Sequence, residues 1–343
     1  MDFLADYGLF LLKAVTIVAA ILFVFAGVAS LAQRNKRQAT HGEIRVDSLN
    51  DDLEDMASRV RAVVLPEEAY KRDEKARRKA DKEREKEELE NPRRRVFVID
   101  FHGDIQASAV EEMRREITAV LAVATDKDEI VVRVDSGGGL VTSYGLAASQ
   151  LERIRRAKVP LTVCVDEIAA SGGYMMACVA DRILAAPFAV VGSIGVVAQL
   201  PNFHRLLRKH EIDVELHTAG EYKRTLTVFG ENTDKAREKF REELEDTHAL
   251  FKEFVGRWRP QLDLAKVATG EHWFGQRALD LALVDELVTS DEYLVNAAKD
   301  AEVFQVRWEH RKTLAEKLGV ATEGALDRVL LRWWGRLTQR PQA

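Results

Sequence analysis

The sequence predicts an α/β domain with a parallel sheet and covering helices, preceded by a transmembrane helix and a charged linker. Short, nearly uninterrupted apolar segments alternate with segments of helical periodicity, as in parallel sheets that are covered on both faces. A long uncharged segment near the amino terminus and a run of mixed charges precede this alternating region. With 343 residues, 46% hydrophobic and 31% charged, the chain is far too apolar to be disordered.

The uncharged segment covers residues 14–32 and reads AVTIVAAILFVFAGVASLA. As a helix it would span about 28 Å, close to the roughly 30 Å hydrocarbon core of a bilayer. A core helix is rarely so uniformly apolar, and a cleaved signal peptide begins with a basic segment, whereas Asp2 and Asp6 precede this one. We therefore expect residues 1–40 to form a membrane anchor, with the lipid bilayer as a partner.

Residues 41–95 are predicted to form an amphipathic helix followed by a charged linker. Between His41 and Leu65, apolar residues recur at nearly helical spacing. The stretch Glu67–Arg95 then holds 12 Lys or Arg and 10 Asp or Glu in 29 residues. It is too polar to bury a core, so we expect a solvated helix or a disordered tether that ends near Pro92.

Residues 96–310 carry the alternating pattern and are predicted to form the main domain. The order of strands and helices predicts parallel strands joined by right-handed crossovers, and no internal repeat suggests two copies of the unit. The predicted strands are Val96–Phe101, Ile130–Val134, Leu161–Val165, Arg182–Ala185 and Val214–His217. The predicted helical segments are Ser108–Ala124, Thr142–Ala157 and, as a mostly helical region, Thr233–Ala268.

Residues 311–343 are predicted to form a basic helix rich in leucine and tryptophan, with Trp333 and Trp334 among several arginines. Such a helix can lie in a membrane interface. It can equally pack on its own domain or on a neighbouring subunit, and the pattern leaves these alternatives open.

Charge and cysteine content exclude two classes of protein. The formal net charge of −5 provides no excess of cations for phosphate groups, so no nucleic-acid partner is expected. The two cysteines, Cys164 and Cys178, cannot build a disulfide scaffold and lie in apolar stretches. We expect both to be buried free thiols.

A glycine-rich loop, Asp135-Ser136-Gly137-Gly138-Gly139, directly follows the predicted strand IVVRV. Its three glycines allow a sharp turn that presents backbone N–H groups to a phosphate or an oxyanion. The spacing matches neither a Walker A loop nor a dinucleotide-binding fingerprint. A turn of purely structural function remains the alternative.

A second loop, residues 169–174, places Ser171 between the strand LTVCV and a short helical stretch. Serine is a favoured N-cap, so capping of the helix is one interpretation. The functional interpretation is a nucleophile, because small neighbours leave room for a substrate and Gly172 offers an N–H to an oxyanion.

A serine nucleophile needs a base, and none of the eight histidines lies in an obvious strand-end loop beside an acidic partner. Lys223, in the run GEYKRT, is the alternative base. Burial or a neighbouring cation would have to lower its pKa for this function. The other interpretation is a solvated surface lysine.

Five motifs in order, DSGGG, ASGGYMMACVAD, GSIGV, GEYKR and HWFGQRALDLALVDEL, resemble the signal peptide peptidase family of serine peptidases. The amino-terminal anchor and linker make the chain most similar to the SohB branch of that family. The resemblance implies a ClpP/crotonase-like fold with a Ser-Lys dyad. Ser171 is then the nucleophile and Lys223 the base, while the N–H groups of Gly138 and Gly172 form the oxyanion hole. Ser193 of GSIG would be structural or line the substrate groove.

Two further expectations follow from the resemblance. Members of the family commonly have proline at the position of Gly137, so this loop is expected to be more flexible before substrate binds. Single-domain members form rings in which a neighbour supplies the lysine, so we expect a homo-oligomer with active sites shared between subunits. The family suggests a periplasmic domain, whereas Arg34, Lys36 and Arg37 favour the cytoplasmic side.

The resemblance therefore implies a membrane-anchored serine endopeptidase of the inner membrane that works without metal or cofactor. Its substrates would be short hydrophobic peptides, such as remnant signal peptides, or unfolded membrane-associated proteins. The main alternative is a catalytically silent crotonase-like scaffold at the membrane. A crotonase that binds acyl-CoA is the third interpretation, although its chemistry requires neither Ser171 nor Lys223.

Overall fold

A computed structural model of the chain describes residues 42–90 and 93–310. The predicted anchor at 14–32 and the predicted carboxy-terminal helix lie outside the described residues. Within those ranges, no helix is both long enough and apolar enough to cross a bilayer. The described chain divides into two units: residues 46–307 form one, and residues 42–45 and 308–310 belong to the other.

Strands and helices alternate along most of the described chain. The strands are β1 (Gly42–Ser48), β2 (Arg94–Gly103), β3 (Glu129–Ser136), β4 (Leu161–Val165), β5 (Ile168–Ala170), β6 (Arg182–Ala185), β7 (Val190–Gly192), β8 (His272–Phe274), β9 (Glu286–Leu287) and β10 (Ala301–His310). The helices are α1 (Leu49–Val64), α2 (Glu67–Glu90), α3 (Val110–Leu121), α4 (Val141–Arg156), α5 (Gly172–Ala177), α6 (His204–Lys209), α7 (Asp234–Trp258), α8 (Leu264–Val267), α9 (Gly275–Asp280) and α10 (Ser290–Ala297).

Within the described residues, the strands form one sheet in the order β1-β10-β2-β3-β4-β6-β9. Neighbours from β10 to β9 are parallel, which confirms the predicted α/β class with a largely parallel sheet. The short β5 pairs with the end of β3 and with β7, and β7 pairs antiparallel with β8. These short strands continue the sheet beyond the end of β3, where the glycine-rich loop begins.

The central strands are buried because their sequences are apolar on both faces of the sheet. In β2, β3 and β4, side chains such as Val98, Val132 and Val163 are completely inaccessible to solvent. Helices α3 and α4 bury their apolar faces at positions including Ile117 and Leu151. Cys164 and Cys178 are buried free thiols, as predicted, and burial raises the pKa of Cys164 to about 12.

The linker differs from the prediction at its start. Residues Gly42–Ser48 form a strand rather than helix, so the amphipathic helix begins only at Leu49, where the Ser48 side chain accepts a hydrogen bond from the Asp51 N–H. The Asn50 side chain then bonds to the main chain at the beginning of β10, with its Oδ1 accepting from the Val303 N–H at 2.7 Å. The charged stretch Glu67–Glu90 is helical, as one of the two alternatives predicted.

The prediction of a strand at Val214–His217 is wrong. These residues have no regular structure, and Val214 and Leu216 are exposed. Alternating apolar residues form a strand only when another strand supplies hydrogen-bond partners, and none within the described chain lies beside this segment.

Asp128 links the loop before β3 to the beginning of β2 by hydrogen bonds. Its carboxylate is 4% exposed and accepts hydrogen bonds from the Arg95 guanidinium, at 2.6 Å, and from the Thr125 N–H, at 2.7 Å. Burial alone would raise the pKa of Asp128, but these hydrogen bonds outweigh it and lower the pKa to about 2.

We expect Asp128→Asn to reduce the free energy of unfolding by about 2 kcal/mol at pH 7. Because the pKa of the folded state is depressed, the stabilisation exists above the ordinary value near 4 and disappears as the pH falls through about 2. Urea unfolding between pH 7 and pH 3 should show a difference from wild type that shrinks with acid. Asp126→Asn, in the same loop but exposed, is the control. A difference independent of pH would contradict this assignment.

Candidate active site

The glycine-rich loop and the Ser171 loop lie side by side at the carboxyl ends of β3 and β5, around a cavity of about 560 Å³. Reactive groups of open parallel sheets gather at this edge. The cavity is lined by Gly137, Gly138, Gly139, Val141, Ser171, Ser193, Gly195, Val196, Val197, His248, Thr269 and Gly270. Five residues singled out from the sequence are thus brought together: Gly137, Gly138, Gly139, Ser171 and Ser193.

Ser171 occupies an unusual backbone conformation between β5 and α5. Its φ is 53° and its ψ is −117°, a region that side-chain-bearing residues rarely adopt. Such a conformation costs on the order of 1–3 kcal/mol and persists only where its surroundings enforce it. Here the Ser171 N–H donates to the Gly192 carbonyl at 2.8 Å, and the Met175 N–H donates to the Ser171 carbonyl at 2.9 Å.

The conformation makes Ser171 available for chemistry rather than for capping. Its side chain makes no capping hydrogen bond to α5, so the N-cap interpretation is wrong. The residue is half-buried and borders the cavity. Strain and exposure at a strand-to-helix turn are typical of a nucleophilic serine.

Two glycines after Ser171 allow the turn to pack closely against the neighbouring elements. A Cβ on Gly172 would lie 2.3 Å from Cγ of Tyr144, and a Cβ on Gly173 would lie 2.4 Å from the Ser136 carbonyl oxygen. Because both positions exclude a side chain, α5 begins directly against β3 and α4. The Gly172 N–H opens this helix and has no partner within it.

Gly138 of the glycine-rich loop packs closely against the Ser171 turn. Its φ of +88° favours glycine, and a Cβ there would lie 2.6 Å from the Gly172 nitrogen and 2.7 Å from Ser171 Cβ. The predicted oxyanion residues are therefore neighbours of the predicted nucleophile. However, the Gly138 N–H donates to Ser136 Oγ at 3.1 Å. Of the two predicted donors, the Gly172 N–H has no hydrogen-bond partner among the described residues, and the Gly138 N–H is bonded to a side chain.

Ser193 and His248 also line the cavity. Ser193 has a φ of 52° and its N–H donates to the Glu271 carbonyl at 2.6 Å, which supports its predicted structural or groove-lining position. His248 lies on α7, and its Nε2 donates to the Ile194 carbonyl at 3.2 Å. His248 was not predicted from the sequence, because it lies on a helix and not in a strand-end loop. The helical spacing of Thr247 and Phe251, which line a cavity beside Ser171, was the available signal.

Lys223 lies elsewhere in the chain described here. It is exposed in a turn, where its N–H donates to the Gly220 carbonyl at 3.2 Å, and it does not line the cavity. The cations that surround the neighbouring Tyr222 ring are Lys235 and Lys239. Within one chain the structure therefore brings Ser171, Gly138 and Gly172 together, and Lys223 is not among the residues around the cavity.

Comparison with known proteins identifies the family. The family model described as "Peptidase family S49 N-terminal" matches residues 2–151, and the model described as "Peptidase family S49" matches residues 153–304. The chain belongs to peptidase family S49. The Ser171 turn, the loop with Ser193 and the Lys223 segment all fall within the second match, whereas the glycine-rich loop falls within the first.

Relatives within S49 support the SohB branch. "Probable protease SohB" of Haemophilus influenzae is 48% identical over 342 residues, which cover 97% of this chain and 96% of that protein. "Probable protease SohB" of Buchnera aphidicola subsp. Schlechtendalia chinensis is 46% identical over 308 residues, covering 86% of this chain and all of that protein. "Protease 4" of Haemophilus influenzae is 27% identical and covers 70% of this chain but 42% of its own length. This S49 chain is thus similar to proteases along nearly its whole length.

The contact between Gly138 and the Ser171 turn gives a direct test of the site. Gly138→Ala would place a methyl group against Ser171 and the Gly172 nitrogen and would also strain the backbone, so we expect peptide hydrolysis to fall at least about tenfold. Gly137→Ala is the matched control, because a Cβ there meets only Ile168 Cδ1, at 3.7 Å.

Hydrolysis of an unfolded protein and thermal unfolding should be measured for both variants. The expected result is a much larger loss of rate for Gly138→Ala than for Gly137→Ala, with both proteins folded. Equal rates for the two variants would show that the close approach is unimportant.

Proposed function

We propose that this S49 chain is a membrane-anchored serine endopeptidase that cleaves peptide bonds through an acyl-enzyme on Ser171, with Lys223 as general base. The observation that carries the proposal is the strained Ser171 turn, which borders a cavity with the Gly172 N–H beside it. The largely parallel sheet also supports the ClpP/crotonase-like fold that the family resemblance implies.

The proposed reaction has two steps. Ser171 Oγ attacks the substrate carbonyl while Lys223 Nζ takes the hydroxyl proton, and the oxyanion binds to backbone N–H groups. The C–N bond then breaks, the proton passes to the leaving amine, and an ester to Ser171 remains. Water, deprotonated by the same lysine, attacks the ester; the C–O bond to Ser171 breaks, the lysine returns the proton to Ser171 Oγ, and the acid leaves. These steps require a neutral lysine, and removal from bulk water or a nearby cation would provide it.

The lysine is proposed to come from a neighbouring subunit. Lys223 does not line the cavity of its own chain, and it belongs to a segment, residues 197–229, with many exposed apolar side chains. Patches of this kind mark protein–protein interfaces. The exposed apolar residues of this segment are Val197, Leu200, Phe203, Leu206, Ile212, Val214, Leu216, Tyr222 and Phe229. A homo-oligomer would cover them and complete each site.

Apolar substrates fit the surroundings of Ser171. A small second cavity beside Ser171 and Gly172 is lined by apolar side chains, including Val141, Met175 and Phe251. It could receive an apolar side chain next to the cleaved bond. Remnants of signal peptides and unfolded membrane-associated proteins are the proposed substrates, and an anchor at residues 14–32 would hold the enzyme at the inner membrane. No metal or cofactor takes part in these steps.

The test uses the full-length chain in detergent and an unfolded protein as substrate. We expect Ser171→Ala and Lys223→Ala each to reduce the rate by about 10³-fold or more, because either loss removes the nucleophile or its activation. Lys209→Ala, another exposed lysine of the same segment, is the control and should retain activity.

Mixed oligomers of the two inactive variants test the shared site. If each site takes its serine and lysine from different subunits, random assembly restores about a quarter of the sites. If each chain supplied both the serine and the lysine of its own site, mixing would restore no active site. Full activity of Ser171→Ala would refute the proposed nucleophile, and an inactive wild type that still assembles would favour the silent scaffold.

A further inference from the structure

A chain of buried hydroxyl groups lies beneath the glycine-rich loop. Ser136 Oγ lies 3.1 Å from the Gly138 nitrogen and 2.5 Å from Tyr144 Oη, and Tyr144 Oη lies 2.7 Å from the Asp104 carbonyl oxygen. Ser136 is 2% exposed and Tyr144 is fully buried. Four groups from the β2–α3 loop, β3, the glycine-rich loop and α4 are thus linked.

The chemistry of the two ends fixes the direction of every hydrogen bond. The Asp104 carbonyl can only accept, so the single proton of the Tyr144 hydroxyl is donated to it. Ser136 must therefore donate its own proton to Tyr144 Oη, and its oxygen accepts the Gly138 N–H. Burial raises the pKa of Tyr144, which keeps its hydroxyl protonated. Hydrogen bonds aligned in one direction reinforce one another.

The same two side chains contact the nucleophile turn. A Cβ on Gly172 would collide with the Tyr144 ring, and a Cβ on Gly173 would lie 3.3 Å from Ser136 Cβ. On the other side Gly103 approaches so closely that a Cβ there would lie 2.4 Å from Ser136 Oγ and 2.5 Å from Tyr144 Oη. The pair therefore has little freedom to move, whereas the loop that it holds consists of glycines.

We propose that Ser136 and Tyr144 are positioning residues that hold the Gly138 N–H away from the Ser171 cavity in the resting enzyme. The oxyanion of the substrate competes with the Ser136 hydroxyl for this N–H, so the second donor enters the oxyanion hole only as the reaction proceeds. This inference rests on the proposed function, since it assigns a regulating contact to the same oxyanion hole.

The glycines of the loop make such an exchange possible. Turning the N–H requires rotation of the peptide between Gly137 and Gly138, and glycine adopts backbone conformations that other residues avoid. Breaking one neutral hydrogen bond in a protein changes an equilibrium by about two- to tenfold. Loss of the Ser136 acceptor should therefore accelerate reaction at Ser171 by a factor in this range.

The experiment compares full-length wild type with Ser136→Ala, Tyr144→Phe and the control Tyr293→Phe. Tyr293 also donates its hydroxyl proton inside the protein, to Glu129 Oε1 at 2.6 Å, but far along the chain from the loop. The probe is a fluorophosphonate, in which Ser171 Oγ forms a bond to phosphorus and fluoride leaves. Its phosphoryl oxygen enters the oxyanion hole. The rate of labelling, kcat and KM for an unfolded protein, and thermal unfolding are measured.

The expected order of labelling rates and of kcat is Ser136→Ala above Tyr144→Phe above wild type, with KM unchanged and Tyr293→Phe equal to wild type. The gain for Ser136→Ala should be about two- to tenfold. The rates of Tyr144→Phe should rise less. Ser136 Oγ can still accept the Gly138 N–H in this variant, and only the reinforcing hydrogen bond between Ser136 and Tyr144 is lost. A merely structural function of the pair would instead lower both the rates and the unfolding temperature.

Rates that stay equal or fall in both folded variants would overturn the inference. If Ser136→Ala does not fold, Tyr144→Phe decides alone, since it keeps the ring and the packing against Gly172. Failure of the proposed function looks different, because wild type itself would then not be labelled at Ser171. Labelling of wild type without acceleration in the variants refutes only the competition for the Gly138 N–H.

Discussion

The Gly138 backbone approaches the Ser171–Gly172 turn so closely that one methyl group between them would overlap with both, and the rest of the site depends on this approach. Gly138 has a positive φ, and a Cβ built on it would lie 2.6 Å from the Gly172 nitrogen. Ser171 adopts its own strained conformation because neighbouring backbone groups bind its N–H and its carbonyl. Under the proposed function, a backbone contact of this kind would position the nucleophile and an oxyanion donor together without depending on a flexible side chain.

The register of the sheet explains why these loops meet. Ser136 of β3 pairs with Ala169 of β5, and Ala170 of β5 pairs with Gly192 of β7. Three successive loops therefore leave the sheet at almost the same level, and their first residues become the walls of one cavity. Since parallel neighbours cannot slip without moving buried side chains to the wrong face, the hydrophobic core also fixes the geometry of the site.

Local sequence determined most of what could be predicted, and long-range pairing most of what could not. Continuous apolar strands and the two glycine-rich loops are signals within a few residues, so the α/β class, Ser171 and the glycines around it were accessible. The strand Gly42–Ser48 forms because it pairs with β10, which is far away in the sequence. Local periodicity cannot reveal such a partner. His248 and the link between Ser136 and Tyr144 depend on helix packing, and no spacing rule joins a strand end to a residue on the next helix.

The different burial of the Ser171 and Lys223 surroundings suggests how activity would be controlled under the proposed function. Ser171 and its glycines rest on a sheet whose side chains are fully buried, whereas Lys223 lies on an exposed segment rich in apolar residues. Exposed apolar surface drives association, and association would also remove the lysine from water, which favours its neutral form. Assembly and activation of the base would then be one event. A nucleophile that meets its base only after assembly cannot hydrolyse peptides as a free subunit.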